Sequence, residues 1–204
     1  MVQEFDDEVL RALEKWPNVP ACYGWLRLSR RGSWLIKDEP ISHRRAIAYL
    51  QRNYATDESG RWFVQNGPQR AYCDLDYTPW IYQLDGSGVL HTHAGDPVCQ
   101  LRQLVTDESG DVLLETEYGI GLLHDGDLGQ FIDIVDQQQP AEVGDDGVGG
   151  LLVCLDPATE SRVEIVWNGA PLSVSAMLAE DVPQMFGFTA KPNATTDESP
   201  HGTR

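Results

Sequence analysis

No apolar run among the 204 residues approaches the roughly 20 that a membrane-spanning helix requires. Met1 to Phe5 carry neither the basic region nor the apolar core of a signal peptide and lead into an acidic amphipathic stretch. The expectation is a soluble, cytoplasmic chain with no membrane partner. Cysteine is sparse too. Cys22, Cys73, Cys99 and Cys154 are scattered without any C-x-x-C pair, and three sit among strand-like apolar residues. Reduced structural thiols are therefore expected. Positive charge is scarce, with 15 Lys and Arg against 32 Asp and Glu, a formal net charge of −17. Since phosphate-backbone binding rests on Lys and Arg, the field of the whole chain argues against a nucleic-acid partner. Phosphate loops are missing as well: Gly119-Ile120-Gly121 and Gly147-Val148-Gly149-Gly150 lack both the helix-opening spacing and a following Lys-Ser/Thr. No serine lies in a nucleophile elbow. These gaps imply no cofactor and leave open whether the chain is an enzyme.

What the chain does contain is enough apolar mass for a core. At 41% hydrophobic and 9% aromatic residues it is not globally disordered, and its length suits one ordinary domain or two small ones. Its charge is unevenly placed. Residues 1–103 hold 12 basic and 13 acidic side chains, whereas 104–204 hold 3 and 19. Within 19–54, Arg27, Arg30, Arg31, Lys37, Arg44, Arg45 and Arg52 face only Asp38 and Glu39. One reading is a mixed surface beside a solubilising acidic one. The other is a bipolar molecule whose basic face meets an acidic protein partner or a small anionic ligand, or a second copy in a homo-oligomer.

Along the chain, Phe5, Val9, Ala12, Leu13 and Trp16 are spaced for one face of a helix that Pro17 stops. Cys22 to Leu28 and Ser33 to Ile36 read as strands joined by Arg30-Arg31-Gly32. Ser42 reads as the N-cap of a second helix to about Tyr54, with Ile47, Leu50 and Tyr54 on its buried side. Thr56-Asp57-Glu58-Ser59-Gly60 then turns into the strand Arg61 to Val64, and Asn66-Gly67 signals a hairpin back through Arg70 to Leu75.

The order of events then recurs. Thr106 to Gly110 repeats the pentamer of Thr56 to Gly60 unchanged, and Asp96-Pro97-Val98 matches Glu39-Pro40-Ile41. Strands at Val112 to Thr116 and Gly119 to Leu123 occupy the places of the earlier hairpin. The connector shortens from about 14 residues to about 7, too few for a full helix. Further strands are expected at Leu151 to Leu155 and Val163 to Trp167. The fold class expected is α+β, with duplicated antiparallel β units and a few helices. The division expected is an N-terminal helix and first repeat over 1–84, a second, acidic β-rich unit over 85–189, and a disordered tail over 190–204.

Gly32-x-Trp34 with Pro40-Ile41, then Asp57-x-x-Gly60-Arg61-Trp62-Phe63-Val64, Pro68 and Asp76-x-x-Pro79-Trp80 carry a resemblance. Residues 10–84 resemble a bacterial domain family of unknown function, with Glu39 standing where that family has a small residue. The stretch Leu13 to Trp25 is similar to a set of uncharacterised proteobacterial proteins. The resemblance implies a fold of repeated α+β motifs and a role in signalling. It supplies no catalytic residues.

Few constellations could carry chemistry. His91-Thr92-His93 is the leading metal candidate, because residues two apart on a strand face one side, with Asp96 and Cys99 near in sequence. The same pair also reads as two half-exposed strand histidines beside a turn. Asp74 with Asp76, and Asp145 with Asp146, read as solvated acids, without calcium-loop spacing. Arg44, Arg45 and Arg52 with Trp34, Trp62 and Trp80 form the candidate binding set, since Trp and Arg are over-represented in recognition sites; the aromatics also read as core. The preferred expectation is a non-catalytic binding or regulatory module, and the alternative a metal-dependent hydrolase using His91 and His93.

Overall fold

Strand-forming residues at alternating apolar positions, punctuated by Asp-x-x-Gly turns, dominate the computed structural model, which describes residues 5–139 and 162–194. By their contacts these residues divide into two units. One takes 5–29, 33–76 and 188–194, and the other takes 30–32, 77–139 and 162–187. The class is α+β, with two sheets and few helices.

The first unit opens with α1 (Asp7–Lys15). Its sheet has six strands: β1 (Cys22–Leu28), β2 (Trp34–Ile36), β3 (Glu39–Pro40), β4 (Tyr54–Thr56), β5 (Trp62–Asn66) and β6 (Gln69–Leu75), in the order β3-β2-β1-β6-β5-β4. Helix α2 (Arg44–Arg52) fills the connection between β3 and β4. Register makes one face of this sheet apolar: Leu26 stands opposite both Ile36 and Cys73, Leu28 opposite Trp34 and Leu75, and Val64 opposite Tyr54 and Ala71. On the other face Ala55, Phe63 and Tyr72 pack with Phe5, Ala21 and Tyr23, the last stacked on Tyr72 at 4.6 Å.

The second unit holds seven strands: β7 (Trp80–Leu84), β8 (Leu90–Thr92), β9 (Leu101–Thr106), β10 (Val112–Thr116), β11 (Gly119–Leu123), β12 (Arg162–Trp167) and β13 (Ala170–Ala176). Their order is β12-β13-β9-β10-β11-β7-β8. Leu104, Val105, Leu113 and Leu114 are all fully buried, so adjacent residues are covered on both faces. A 3-10 turn at Asp125–Asp127 leads into α3 (Leu128–Asp136), which buries Phe131 and Val135; α4 (Val182–Met185) follows β13. No helix among the described residues is long and apolar enough to cross a membrane.

The two sheets follow one path. In each, an antiparallel run (β4-β5-β6, β9-β10-β11) meets a parallel partner (β1, β7) that pairs in turn with an antiparallel neighbour (β2, β8). Backbone hydrogen bonds repeat with it. Lys37 N–H donates to Trp25 O at 2.9 Å and His93 N–H to Ile81 O at 2.7 Å; Ile41 N–H donates to Trp34 O and Val98 N–H to Leu90 O, both at 2.8 Å.

Four of the hairpins share a five-residue turn. Its first residue donates N–H to the fifth residue's carbonyl at Ser29, Asp57, Asp85 and Asp107. A side-chain oxygen of that first residue accepts the fifth residue's N–H at 3.0 Å in all four cases. The fourth residue is always a glycine with positive φ, Gly32, Gly60, Gly88 or Gly110, a conformation that a Cβ opposes. The repeated Thr-Asp-Glu-Ser-Gly is thus two copies of one Asx turn.

Several local expectations are corrected. Both sheets are mixed, with parallel pairs β1–β6, β7–β11 and β9–β13 beside the antiparallel hairpins. Helix α2 ends at Arg52, and Tyr54 is a fully buried strand residue. Its N-cap is His43, whose Nδ1 accepts from Ala46 N–H at 3.3 Å, and not Ser42. The turn after β5 is centred on Gly67-Pro68, because Asn66 already pairs with Gln69. Trp16 is exposed beneath the Lys15 ammonium, outside the buried face of α1. Residues 128–136, given no element from sequence, form α3. Within the stretch read as tail, Ala190 O accepts from Leu75 N–H at 2.7 Å and Pro192 is buried. The strand expected at Leu151 to Leu155, with Cys154, Asp145 and Asp146, lies outside the described residues, as do 195–204.

Candidate ligand-binding site

Helix α2 is amphipathic yet buries none of its residues. It lies over the apolar face of the first sheet, and between the two is a pocket of about 630 Å³. The helix contributes Ala46, Tyr49 and Leu50, one i, i+3, i+4 face. Beneath them β5 and β6 supply Val64 and Ala71, which are register partners, and the ends of the same hairpin supply Asn66 and Gln69. β1 contributes Cys22, Trp25 and Leu26, with Ile36 and Ile41 beyond.

A bulge in β1 shapes the mouth. Cys22 pairs with Ala71 and Leu26 with Cys73, so β1 spends two more residues than β6 over the same interval. Gly24 stands there at φ +67 with nothing within 4 Å of an added Cβ, so its glycine is required by conformation alone. After the bulge both Trp25 and Leu26 line the pocket, while Tyr23 remains on the opposite face against Tyr72. Trp25 is 52% exposed and Ile36 47% exposed, which leaves two large apolar side chains at the rim.

Among the described residues no Asp, Glu, His, Lys or Arg lines the pocket. Its polar groups are largely engaged: the Tyr49 hydroxyl donates to Gln65 O at 3.4 Å and accepts from Gly67 N–H at 3.1 Å, and Gln69 Nε2 donates to Pro20 O at 2.8 Å. Desolvation pushes the Cys22 thiol above its ordinary range, so it is not a thiolate nucleophile at neutral pH. Such a lining holds apolar matter by burial and offers no acid–base pair. A cation stands beside Trp25 at the rim. The Lys37 ammonium lies 3.7 Å from the centroid of the Trp25 ring.

The residues singled out from sequence do not form one site. Arg52 grips Asp6 with Nε and Nη2 at 3.1 Å each, joining α2 to the start of α1. That hydrogen bond, with a second from Asn53, holds the Asp6 carboxyl below its usual range. Arg44 and Arg45 are exposed in the first turn of α2, and neither makes an ion pair among the described residues. Other members of the basic cluster are tied up: Arg27 faces Asp38 and Asp76, Arg30 pairs with Asp111, and Arg31 with Asp125. Trp34 is buried against Tyr54, Trp62 is half-buried with its ring 4.7 Å from the same tyrosine, and Trp80 is a core residue of the second unit.

His91 and His93 do not converge, since β8 ends at Thr92. His91 Nδ1 lies 3.0 Å from Val89 O, whereas His93 is buried with Nδ1 accepting from Ile81 N–H at 3.3 Å. Desolvation lowers the His93 imidazole to about 3. Asp96 and Cys99 are exposed, and Cys99 N–H donates to Glu117. No three His, Cys, Asp or Glu side chains are grouped to hold a metal among the described residues. Asp74 and Asp76 lie near Arg27 and Lys191; burial raises the Asp74 carboxyl against those two cations. Sequence reasoning missed the pocket. Its trace in the sequence is a glycine inside an aromatic strand, Tyr23-Gly24-Trp25, the pattern of a bulge.

A family model described as "Protein of unknown function (DUF2946)" matches residues 5–193. The chain belongs to the DUF2944 family. That membership agrees with the resemblance to uncharacterised bacterial domains. Among curated proteins no relative matches this DUF2944 chain. Solved structures similar to it include a DUF1285 family protein from Silicibacter pomeroyi DSS-3, at 15% identity and a TM-score of 0.49, covering 83% of this chain and 88% of that one. A DUF1285 family protein from Shewanella baltica OS155 is similar at 14% identity and a TM-score of 0.41, covering 53% and 91%.

Proposed function

We propose that the chain is a non-catalytic binding module whose ligand is a small, mainly apolar molecule seated between α2 and the first sheet. One observation carries this reading: a pocket of about 630 Å³ lined, among the described residues, by no carboxylate, imidazole or cation. That volume lies in the range of sites for drug-sized ligands, roughly 300–1,000 Å³. A ligand there would give α2 the burial it lacks. The regulatory side of the reading follows from that helix, because Arg44 and Arg45 stand on the same element and would report its position to an acidic protein partner. The shared strand path and the repeated turn further support reading the two units as duplicates, of which the first carries the binding role.

Titration with the neutral fluorophore Nile red tests the pocket. Saturable one-to-one binding is expected, weakened at least tenfold by Ala71→Phe, which fills the floor of the pocket, with the far-UV circular dichroism retained. Absence of binding to the native chain, or equal binding by a folded Ala71→Phe, overturns the reading.

A further inference from the structure

We infer that the ligand of this pocket is an anionic amphiphile, an alkyl chain ending in a carboxylate, with the carboxylate set at the Trp25 mouth by Lys37. The inference rests on the binding reading above and adds the chemistry of the ligand's two ends.

The body of the ligand follows from the lining. Between Leu50 above and Val64 and Ala71 below the walls are apolar; the polar groups, Tyr49, Asn66 and Gln69, gather at one end, where the Tyr49 hydroxyl and Gln69 Nε2 are already held by backbone partners. A polar ligand would lose its water there without compensation, whereas an alkyl chain loses nothing.

The end group follows from the rim. The Lys37 ammonium stands over the Trp25 ring at 3.7 Å from its centroid, and that ring is part of the pocket wall. Lys37 is held in place by the backbone, its N–H bonded to Trp25 O at 2.9 Å and its φ at +49 in the tight turn between β2 and β3. The acid next to it is spent elsewhere, since Asp38 pairs with Arg27 at 3.3 Å. Glu39, across the ladder from Ile36, offsets part of the rim's charge. On the far side, from Pro40 to Thr56, the chain contains no acidic residue, and of its three arginines Arg52 is paired with Asp6 while Arg44 and Arg45 are exposed. The balance around an uncharged cavity is positive in a molecule whose net charge is −17, so this is the place where an anion is tolerated.

Chain-matched probes separate the two ends. Dodecanoate, dodecanol and dodecylamine are each titrated by displacement of Nile red, on the native chain and on Lys37→Ala, at low and high salt. The expected order is dodecanoate tighter than dodecanol, and dodecanol tighter than dodecylamine. Lys37→Ala is expected to weaken dodecanoate three- to tenfold at low salt and to leave dodecanol unchanged, with the difference shrinking as salt rises. If dodecanoate and dodecanol displace equally and Lys37→Ala changes neither, the headgroup inference is wrong while the apolar pocket stands. If dodecylamine binds best, Glu39 sets the specificity and the inference is reversed. Failure of Nile red and of all three probes to bind removes the pocket reading itself.

Discussion

At one equivalent place in the two strand paths the chain puts opposite chemistries. The residue that follows the second strand of each path returns its N–H to the same relative carbonyl, Lys37 to Trp25 and His93 to Ile81. Lys37 emerges as a cation at the rim of a pocket, while His93 is buried and neutral beside Trp80. The chain continues differently too. The first path runs through a nine-residue helix before β4; the second crosses 93–100 without one before β9. One ladder therefore supports two interiors. In the second unit α3 buries Phe131 and Val135, with the Phe131 ring 5.6 Å from that of Trp167 on β12. In the first, a helix that never packs down leaves about 630 Å³ open. The connector, not the sheet, decides whether the scaffold leaves such a pocket.

The common turn offers the sharpest way to break that equivalence, because its first residue is Asp in three copies and Ser in the fourth. Asp57 is the most heavily committed: besides the turn it takes Arg61 Nε at 2.8 Å and the Tyr72 hydroxyl at 2.9 Å. Asp57→Ala leaves a guanidinium and a phenol without their acceptor and is expected to cost about 3 kcal/mol in urea unfolding. Ser29→Ala removes one neutral acceptor and is expected to cost below about 1 kcal/mol. Equal losses would mean that the side-chain oxygen matters only to the turn. A related pH effect applies to Asp57. Desolvation raises its carboxyl, but hydrogen bonds from the Arg61 backbone, the Tyr72 hydroxyl and the Arg61 side chain outweigh that and hold it below the ordinary range. The stability it provides is complete above the ordinary carboxylate range and is lost as pH falls through the lowered value.

The pair Lys37 and His93 gives the next largest effect. His93 stays neutral in the fold down to about 3, against 6.5 when unfolded. Between those values the unfolded chain binds one more proton, so stability falls on acidification from pH 6.5 by up to about 1.4 kcal/mol per pH unit. His93→Gln is expected to remove that slope when unfolding is measured from pH 7.5 to 4.5, whereas Lys37→Ala leaves it in place. A slope unaltered by His93→Gln would mean that the imidazole is not shielded in this way.

The smallest effect concerns the two well-formed helices of the first unit. α1 begins with Asp7 and Glu8, which suit the positive end of a helix, whereas α2 begins with Arg44 and Arg45 and has no acid in its first turn. Arg44→Glu is expected to stabilise the chain by about 0.3–1 kcal/mol, read as a rise in melting temperature that salt diminishes. A fall would indicate that Arg44 holds an interaction worth more than the dipole.

Local chemistry was legible in the residues, and long-range pairing was not. The Thr-Asp-Glu-Ser-Gly pentamers announced their turns because Asp, Ser and Gly act within five residues. The α+β class, the strands of both hairpins and the missing helix in the second connector came from the same local signals. The helix cap was misplaced by one residue because Ser42 and His43 both offer an acceptor, and only the path of the chain decides which is used. Parallel pairs such as β1–β6 leave no turn to read. The basic cluster looked free in sequence because Asp111 and Asp125, the partners of Arg30 and Arg31, lie 81 and 94 residues away. The pocket was invisible for a related reason: it is a space that α2 does not fill, and its only local sign is Gly24.

The return of the chain after β13 has a temporal consequence. Thr189 N–H bonds to Gly60 O at 2.9 Å, Leu75 N–H bonds to Ala190 O at 2.7 Å, and Phe188 and Pro192 are buried in the unit that the first residues begin. During synthesis that unit cannot be finished until residue 192 has left the ribosome, although its six strands are complete by residue 75. The half of the protein made first is closed last, and for that interval the Gly60 carbonyl and the Leu75 N–H wait for partners from their own chain.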